Sequence, residues 1–347
     1  MRGIVRRPGD TGIRGYGDGE LQIPRLAALA RDDTRAVIPR EVEGSARVAR
    51  GRGRCGWIAL GLLFMCMSAA PLQAQRKVWA GYATTPDVSV RLFAAVGSVH
   101  VIGWDRDSVE VMGSVATGSK VALNAPSAGA ARGLKLFVEA PTEQAGREGA
   151  LTMHVPRGAR VWLKTGSAEL TVTDVTGGLD LNVVGGSITV HGSPRELRAE
   201  SMDGAVTIDG VPEWMRVKTA TGDIALRGGQ DVEASTISGA IDARNGEADH
   251  LKLESTTGTI RFGLGLARGA TVEMETHSGP IEIQLSRKAS VDIDAQTVTG
   301  EISNAWSGMK PTVGSEGRGM TLVTSGAPLG ARLTLRSFKG KISIRPI

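Results

Sequence analysis

One short motif recurs through the second half of the chain and constrains the fold more than any other feature. A glycine returns every 17 to 21 residues, with one gap of 40 residues before its last occurrence. The segments around it read VVGGSITV, SMDGAVTI, TATGDIAL, TISGAIDA, STTGTIRF, THSGPIEI, TVTGEISN and SFKGKISI, and the aligned glycines are Gly186, Gly204, Gly222, Gly239, Gly258, Gly279, Gly300 and Gly340. Gly97 fits the same template, and Gly166 fits it with one extra residue. Self-similarity of this period is typical of a solenoid.

Each repeat holds two stretches in which apolar and polar residues alternate. One apolar pair precedes the glycine by seven and five positions, as Met215 and Val217 do, and another follows it by two and four, as Val206 and Ile208 do. Alternation with period two places each pair on one face of a strand. One repeat buries too little apolar surface to offset the entropy lost by about 20 ordered residues, so the repeats must stack. We predict an all-β fold in which residues 161–347 form a β-solenoid of short two-strand repeats; an antiparallel sandwich would show the same alternation.

The residues between the two strands of a repeat predict a tight turn. The glycine is expected to adopt a positive φ, which it can do without a Cβ clash. On this interpretation, Gly258→Val destabilises the fold. Seven repeats place Ser or Thr three residues before the glycine, and we interpret these hydroxyls as a ladder that satisfies turn backbone groups rather than as a row of ligand contacts. They are Ser201, Thr219, Thr236, Ser255, Thr276, Thr297 and Ser337.

Residues 75–160 show the same alternation less regularly, and we predict a more irregular N-terminal β region there. The sequence GWDRD at 103–107 predicts a hairpin turn, and residues 307–329 form a Gly-rich excursion before the final repeat. The last strand, at 341–347, is expected to end the stack and to leave an unpaired edge.

An apolar run at 57–70, WIALGLLFMCMSAA, predicts a signal peptide within residues 50–74. Basic residues precede the run, and the small residue Ala74 suits the position before a cut. A single membrane anchor is the alternative, although a spanning helix needs about 20 apolar residues. Cleavage would remove both cysteines, Cys55 and Cys66, and with them any disulfide or thiol chemistry. Residues 1–49 are expected to be disordered, or to be a mis-annotated extension before a true translation start near Val48.

The basic excess of the chain lies before the predicted mature protein. Residues 1–74 carry 12 Lys/Arg and 7 Asp/Glu, whereas the remainder carries 29 of each. A balanced mature domain has no basic excess with which to neutralise phosphates, so we expect no nucleic acid partner. The signal predicts an exported protein, in the periplasm, on the outer surface or secreted, with membrane contact only through 57–70 if that segment is uncleaved.

Side chains that could carry chemistry are scattered along the chain. The histidines do not pair at a metal-ligand spacing, and we expect neither a metal nor another cofactor; they are His100, His154, His191, His250 and His277. Asp223, Asp242 and Glu282 lie near the same phase of the repeat and could stack, as carboxylates do in β-helices that cleave polysaccharides. No basic partner recurs in register with them, so we predict solvated surface charge there and no catalytic residues.

The tryptophans after the predicted signal peptide are spread about one per 50 residues, and we interpret them as caps or core plugs rather than as a sugar-binding row. They are Trp79, Trp104, Trp162, Trp214 and Trp306.

Three segments together resemble a known family. They are GSVHVIGWDRDSVEV at 97–111, LTMHVPRGARVWLKT at 151–165 with Pro156, and the train of SGxIxI units that closes with LTLRSFKGKISI. This pattern is similar to the bacterial putative-adhesin family, a β-strand-repeat domain of unknown function, over residues 85–347. The resemblance implies an all-β repeat fold and a cell-envelope setting. It brings no established catalytic residues to this chain.

We therefore predict an exported cell-envelope or surface protein that acts as a non-enzymatic, adhesin-like binding or structural module. Its rigid ladder would present repeated side chains to an envelope polymer or to a protein partner. Two alternatives stay open. A polysaccharide-active β-helix enzyme would require a cleft with converging carboxylates, and an envelope-stress sensing or regulatory protein would require a bound partner.

Overall fold

The computed structural model describes residues 75–125, 129–314, 317–325 and 330–347, all within one compact unit, Ser68–Ile347. The predictions for residues 1–49 and for the signal peptide at 50–74 fall outside the described residues.

The described residues form 24 strands and one short helix. They are β1 (Gln75–Ala94), β2 (Ser98–Trp104), β3 (Ser108–Ala116), β4 (Lys120–Asn124), β5 (Ala131–Glu139), α1 (Glu143–Gly146), β6 (Ala150–Pro156), β7 (Arg160–Ser167), β8 (Glu169–Thr173), β9 (Gly178–Gly185), β10 (Ile188–His191), β11 (Glu196–Ser201), β12 (Val206–Asp209), β13 (Trp214–Thr219), β14 (Ile224–Arg227), β15 (Asp231–Thr236), β16 (Ile241–Ser255), β17 (Ile260–Thr276), β18 (Ile281–Leu285), β19 (Val291–Thr297), β20 (Ile302–Asn304), β21 (Thr312–Val313), β22 (Met320–Thr324), β23 (Ala331–Ser337) and β24 (Ile342–Pro346).

The strands form two parallel stacks. Stack A runs β5, β1, β7, β9, β11, β13, β15, β16, β17, β23, β19. Stack B runs β6, β2, β8, β10, β12, β14, β16, β17, β18, β24, β20. The long strands β16 and β17 begin in stack B and end in stack A. One strand of each stack makes a rung, and parallel pairing between rungs confirms the predicted β-solenoid and excludes the antiparallel sandwich.

The inward residues of both stacks form one continuous apolar core. The predicted pairs Met215 with Val217 and Val206 with Ile208 are fully buried, and the same holds along the stack. The core is built almost entirely from Val, Leu, Ile and Ala, and its largest fully buried side chain is Phe262. The core between the two stacks is thin and is filled by aliphatic side chains, which accounts for the low aromatic content of the chain.

The repeating glycines are needed for close rung packing, and the predicted role in positive φ was wrong for most of them. A Cβ on Gly204 would lie 1.6 Å from the carbonyl oxygen of Gly186, and one on Gly258 would lie 1.7 Å from that of Gly239. Gly186 alone among the eight has a left-handed φ, of 116°. We call this set the glycine ladder, in spatial order Gly186, Gly204, Gly222, Gly239, Gly258, Gly279, Gly340 and Gly300.

Gly166 does not belong to the glycine ladder. A Cβ there would meet nothing within 4 Å, whereas a Cβ on Gly186 would lie 2.1 Å from the carbonyl oxygen of Ala168. Ala168 therefore holds the ladder position in that rung. The extra residue in the predicted alignment marked this offset.

The predicted hydroxyl ladder is confirmed as turn chemistry. All seven of its Ser and Thr residues are buried. The Ser255 hydroxyl accepts a hydrogen bond from the Gly258 amide at 2.9 Å, while the Thr276 hydroxyl donates to the Gly279 carbonyl at 2.8 Å. Hydroxyls of successive rungs also bond to each other, as Thr219 does to Thr236 at 3.0 Å. These side chains satisfy polar backbone groups of the buried turns.

Both ends of the solenoid depart from the order of the sequence. Strands β1 and β2 lie between the rung of β5 and β6 and the rung of β7 and β8. Strands β23 and β24 lie between the rung of β17 and β18 and the rung of β19 and β20. The prediction of an open edge at residues 341–347 was wrong, because β24 pairs with β18 on one side and with β20 on the other.

Antiparallel strands close the two ends. At one end β4 pairs with β5, and β3 pairs with β6 and with residues 75–83 of β1. At the other end β22 pairs with β19 and β21 with β22. The segment 103–107 does turn the chain from β2 to β3, but these strands do not pair with each other, so the predicted hairpin was wrong.

Candidate functional site

A partly exposed aromatic cluster lies on the outward face of stack A, near the N-terminal end. Phe93 on β1 stacks on Phe137 of β5, with ring centroids 4.8 Å apart and planes within 4°. Trp162 on β7 meets Phe93 edge to face at 4.6 Å. All three occupy outward positions of their strands, where alternation would normally place polar residues. Exposed aromatic groups that contact one another on a flat sheet are typical of binding surfaces.

Basic side chains surround this cluster. Lys135 and Arg91 are neighbours in register on β5 and β1, and Arg91 pairs in register with Trp162. Arg160 and Lys164 flank Trp162 on β7. These four cations are exposed, and none of them takes part in the ion pairs found among the described residues. Their charge is therefore available to a ligand.

Three adjoining depressions follow the cluster. The first, of about 710 Å³, runs from Phe93 and Trp162 to the turn that holds Arg195. The second, of about 500 Å³, shares Arg91 with the first. The third, of about 570 Å³, shares Phe93 with the first and is lined also by Phe137. We call these depressions together the groove.

A buried hydroxyl without a protein partner lies at the third depression. Thr165 occupies the hydroxyl-ladder position of its rung, and its neighbours in register are Ala94 and Val183, neither of which has a hydroxyl. Its Oγ1 finds no hydrogen-bond partner among the described residues. The ladder is thus interrupted beside the groove.

Five carboxylates also line the groove: Asp87, Asp180 and Glu196 in the first depression, and Glu139 and Glu143 in the third. A hydrogen bond from Thr85, together with the nearby charges of Arg132 and Arg160, holds the pKa of Asp87 below its ordinary value. Asp180 accepts a hydrogen bond from the Asn182 amide at 2.6 Å. The other three are in ion pairs, Glu196 with Arg198 at 2.9 Å, Glu143 with Arg147 at 2.9 Å and Glu139 with Lys120 at 3.6 Å. The groove therefore combines exposed cations with several carboxylates, and is not a uniformly basic surface.

The same face changes character farther along the stack. On β15, β16 and β17 the outward positions hold mainly acidic residues: Asp231, Glu233, Glu254, Glu273 and Glu275. The basic residues there are paired, as Lys252 is with Glu254 at 2.7 Å. The carboxyl groups around it, Glu254 above all, raise the pKa of Lys252. Free positive charge on this face is concentrated at the groove.

The predicted carboxylate row does not form a converging site. Asp242 and Glu282 share a column of stack B with Arg261 in register between them, whereas Asp223 lies two positions away from that column. Arg244 binds Asp242 at 2.7 Å, and Arg261 lies 3.3 Å from Glu282. The expectation that no basic partner lies in register was therefore wrong for Asp242 and Glu282.

Asp223 is also committed to a partner of its own. Its Oδ1 accepts a hydrogen bond from the Ala240 amide at 2.7 Å, which ties one rung to the next. The carboxylates of this row carry structural contacts on an open face.

The histidines stay apart in space as they do in the sequence. His277 stacks on Phe338 at 5.1 Å on the corner of the solenoid, and His154 stacks on Trp104 at 4.9 Å. His191 lies 3.6 Å from Asp209. In the described parts of the chain, no three His, Cys, Asp or Glu residues come together in a group that could hold a metal ion.

The interpretation of the tryptophans as core plugs was wrong. None of the five is buried, and Trp79 is 72% exposed on the edge portion of β1. Trp104, Trp162 and Trp214 project from the outer faces, the last of them beneath Arg198 at 5.1 Å. Trp306 alone packs against the core near the C-terminal end, as a cap would.

Sequence reasoning missed Phe93 and Phe137 altogether. Both occupy the polar phase of an alternating strand, which was the available signal.

In the part of the chain that the structure describes, no helix is long and apolar enough to cross a membrane.

Comparison with solved structures returns proteins of low sequence identity. A putative adhesin from Bacteroides fragilis is 13% identical, with a TM-score of 0.42, and the match covers 79% of this chain and 99% of that one. A putative lipid binding protein from Parabacteroides distasonis is 11% identical, with a TM-score of 0.36, covering 78% and 96%. A putative cell adhesion protein from Clostridium sporogenes is 9% identical, with a TM-score of 0.21, covering 79% and 99%. No curated protein matches the chain.

The family comparison is more decisive. The model of one family matches residues 135–315, which is just over half of the chain and spans the regular rungs of both stacks. The repeat that the sequence displays, the parallel rungs and this match agree with one another. The chain belongs to the Toastrack DUF4097 family.

Proposed function

We propose that this protein is an exported, non-enzymatic binding module of the cell envelope, which presents the outward face of stack A to an envelope polymer or a protein partner. The single observation that carries the proposal is the groove, where outward-facing aromatic rings lie beside exposed cations that form no ion pair in the described part of the chain. Aromatic rings and arginines are the side chains that contribute most to recognition surfaces.

The rigidity of the solenoid supports this role. The strands that bear the groove are paired on both sides, and their inward residues, such as Leu92 and Leu163, are fully buried. Side chains on such a scaffold are held in place before a ligand arrives, so less entropy is lost on binding. A preformed surface suits a binding module.

A catalytic role has less support. Two carboxylates of the predicted row, Asp242 and Glu282, are held by arginines on an outer face. Acid–base cleavage of a glycosidic bond needs two carboxyl groups directed at one bond from opposite sides. The groove offers binding groups in greater number than proton-transfer groups.

Co-sedimentation with separated envelope fractions tests the proposal. The full chain should sediment with the envelope in a saturable manner and should be retained without release of soluble sugars. Unfolded Gly258→Val protein serves as the control for non-specific adhesion. Absence of saturable retention would contradict the binding role, and release of new reducing ends would favour the enzyme.

N-terminal sequencing of the native protein tests export, with Gln75 expected as the first residue after cleavage.

A further inference from the structure

We propose that the groove binds an acidic polysaccharide, one whose sugar rings carry carboxylate groups, and this inference rests on the proposed binding function. Phe93, Phe137 and Trp162 together supply apolar surface against which sugar rings can pack. Arg160 lies two residues before Trp162 in β7, and Arg91 is its neighbour in register on β1. Guanidinium groups bind carboxylates through paired hydrogen bonds, which makes them suited to such a ligand.

The extent of the groove fits a polymer better than a small molecule. The three depressions adjoin one another across β5, β1, β7, β9 and β11, since the first shares Arg91 with the second and Phe93 with the third. Neighbouring strands lie about 4.8 Å apart, so the track crosses roughly 19 Å of sheet. An extended chain of several sugars can lie along this track and contact cations on successive rungs.

The charge pattern distinguishes a polysaccharide from a nucleic acid. Asp87, Asp180 and Glu196 line the first depression among the arginines. These carboxylates would repel a closely spaced row of phosphates, but they accept hydrogen bonds from sugar hydroxyls. A polymer with one charge per ring and several hydroxyls between charges satisfies both kinds of groups.

The position of the groove in the sheet argues against an acidic peptide. Extended peptides bind to sheets chiefly by adding a strand at an exposed edge. The groove lies on the face of β1, β7 and β9, whose backbone groups are already paired with strands on both sides. A polysaccharide does not need free backbone groups, because it is held by its ring faces and substituents.

Binding of polygalacturonate to the full chain tests this inference, with the methyl-esterified polymer as the matched ligand that has the same backbone without the charges. We expect saturable binding of polygalacturonate that esterification weakens at least about tenfold. Added salt should weaken it as well, because the cations are exposed.

Variants locate the site. Arg91→Gln with Arg160→Gln, and Trp162→Ala separately, should each weaken binding by about tenfold or more. Arg332→Gln is the matched control, because Arg332 is exposed on the same face of stack A at the C-terminal end. Phe338→Ala is the aromatic control, since Phe338 is exposed at the corner and stacks on His277. Melting temperatures of all variants should stay close to that of the parent, which excludes unfolding as the cause.

Each other outcome overturns the inference in a defined way. Equal binding of polyglutamate, unaffected by Trp162→Ala, would identify an acidic peptide ligand, and tighter binding of duplex DNA would identify a nucleic acid. Absence of polygalacturonate binding by a protein that still sediments with envelopes would refute the acidic polysaccharide and leave the binding role standing. Absence of both polygalacturonate binding and sedimentation with envelopes would refute the proposed function itself.

Discussion

The middle of the solenoid and its two ends solve the same stacking problem in different ways. From β7 to β18, rungs follow one another in the order of the sequence, and each contacts the next through the glycine ladder and parallel strands. At the N-terminal end the rung of β1 and β2 lies between two rungs that come later in the sequence. At the C-terminal end the rung of β23 and β24 lies between two rungs that come earlier. Antiparallel strands are added at both ends. Local repeats specify the middle, whereas pairing between distant segments specifies the ends.

This difference determines how the strand edges at the two ends of the solenoid are covered. A regular solenoid exposes unpaired backbone groups at each end, and these invite aggregation. Here the rung of β1 and β2 and the rung of β23 and β24 both lie inside the stack. Strand β5 covers β1, and strand β19 covers β23. The outermost positions of stack A fall to short antiparallel strands, β4 at one end and β21 at the other, whereas β20 ends stack B.

The largest expected effect tests whether one packing rule covers both regions. Gly258→Val in the middle and Gly340→Val in the inserted rung should each lower the free energy of unfolding by more than about 4 kcal/mol, because either Cβ would collide with a backbone carbonyl. The collisions would be at 1.7 Å and 1.9 Å. Gly166→Val, where nothing lies within 4 Å, is the control and should be tolerated. Urea unfolding measures all three, and a tolerated Gly340→Val would break the rule.

A smaller effect tests the position of the final rung. Leu335→Ala should cost about 3 kcal/mol, the same as Leu253→Ala in the middle, because both side chains are fully buried between two neighbouring rungs. Ile302→Ala on β20, at the true end of stack B, should cost less. Chemical denaturation of the three variants checks this order. A cost for Leu335→Ala well below that for Leu253→Ala would indicate a frayed C-terminal rung.

The smallest effect concerns the hydroxyl ladder. Thr276 and Ser337 bond at 3.0 Å across a gap of 61 residues, and Thr219 and Thr236 bond at 3.0 Å across 17. Double-mutant cycles with Thr→Val and Ser→Ala should give coupling energies of about 1 kcal/mol for both pairs. Zero coupling for Thr276 and Ser337 alone would show that the inserted rung is held more loosely than the middle.

Much of the fold could be predicted because its information is local. The alternation that buries Val206 and Ile208 and the placement of Ser255 three residues before Gly258 lie within single repeats. The rung order at the C-terminal end could not be predicted in this way. The units THSG, TVTG and SFKG share one template, so each order of stacking buries an equivalent set of side chains.

The groove was missed for the same reason. Phe93 and Phe137 are 44 residues apart and become neighbours only because β1 lies beside β5. No spacing within a repeat indicates that contact. Alternation does show that both rings point outward, and an aromatic residue in the polar phase of a strand is the sign that could have been used.

The inserted final rung also has a consequence for the order of events on the ribosome. Residues 291–304 emerge well before residues 331–346, yet in the finished protein the later segment separates them from β17 and β18. A nascent chain that ends near residue 304 lacks the neighbour on which β19 and β20 rest. Residues 331–346 therefore complete a position that residues 291–304 must leave open, and a chain that stops before residue 331 lacks the native support of β19 and β20.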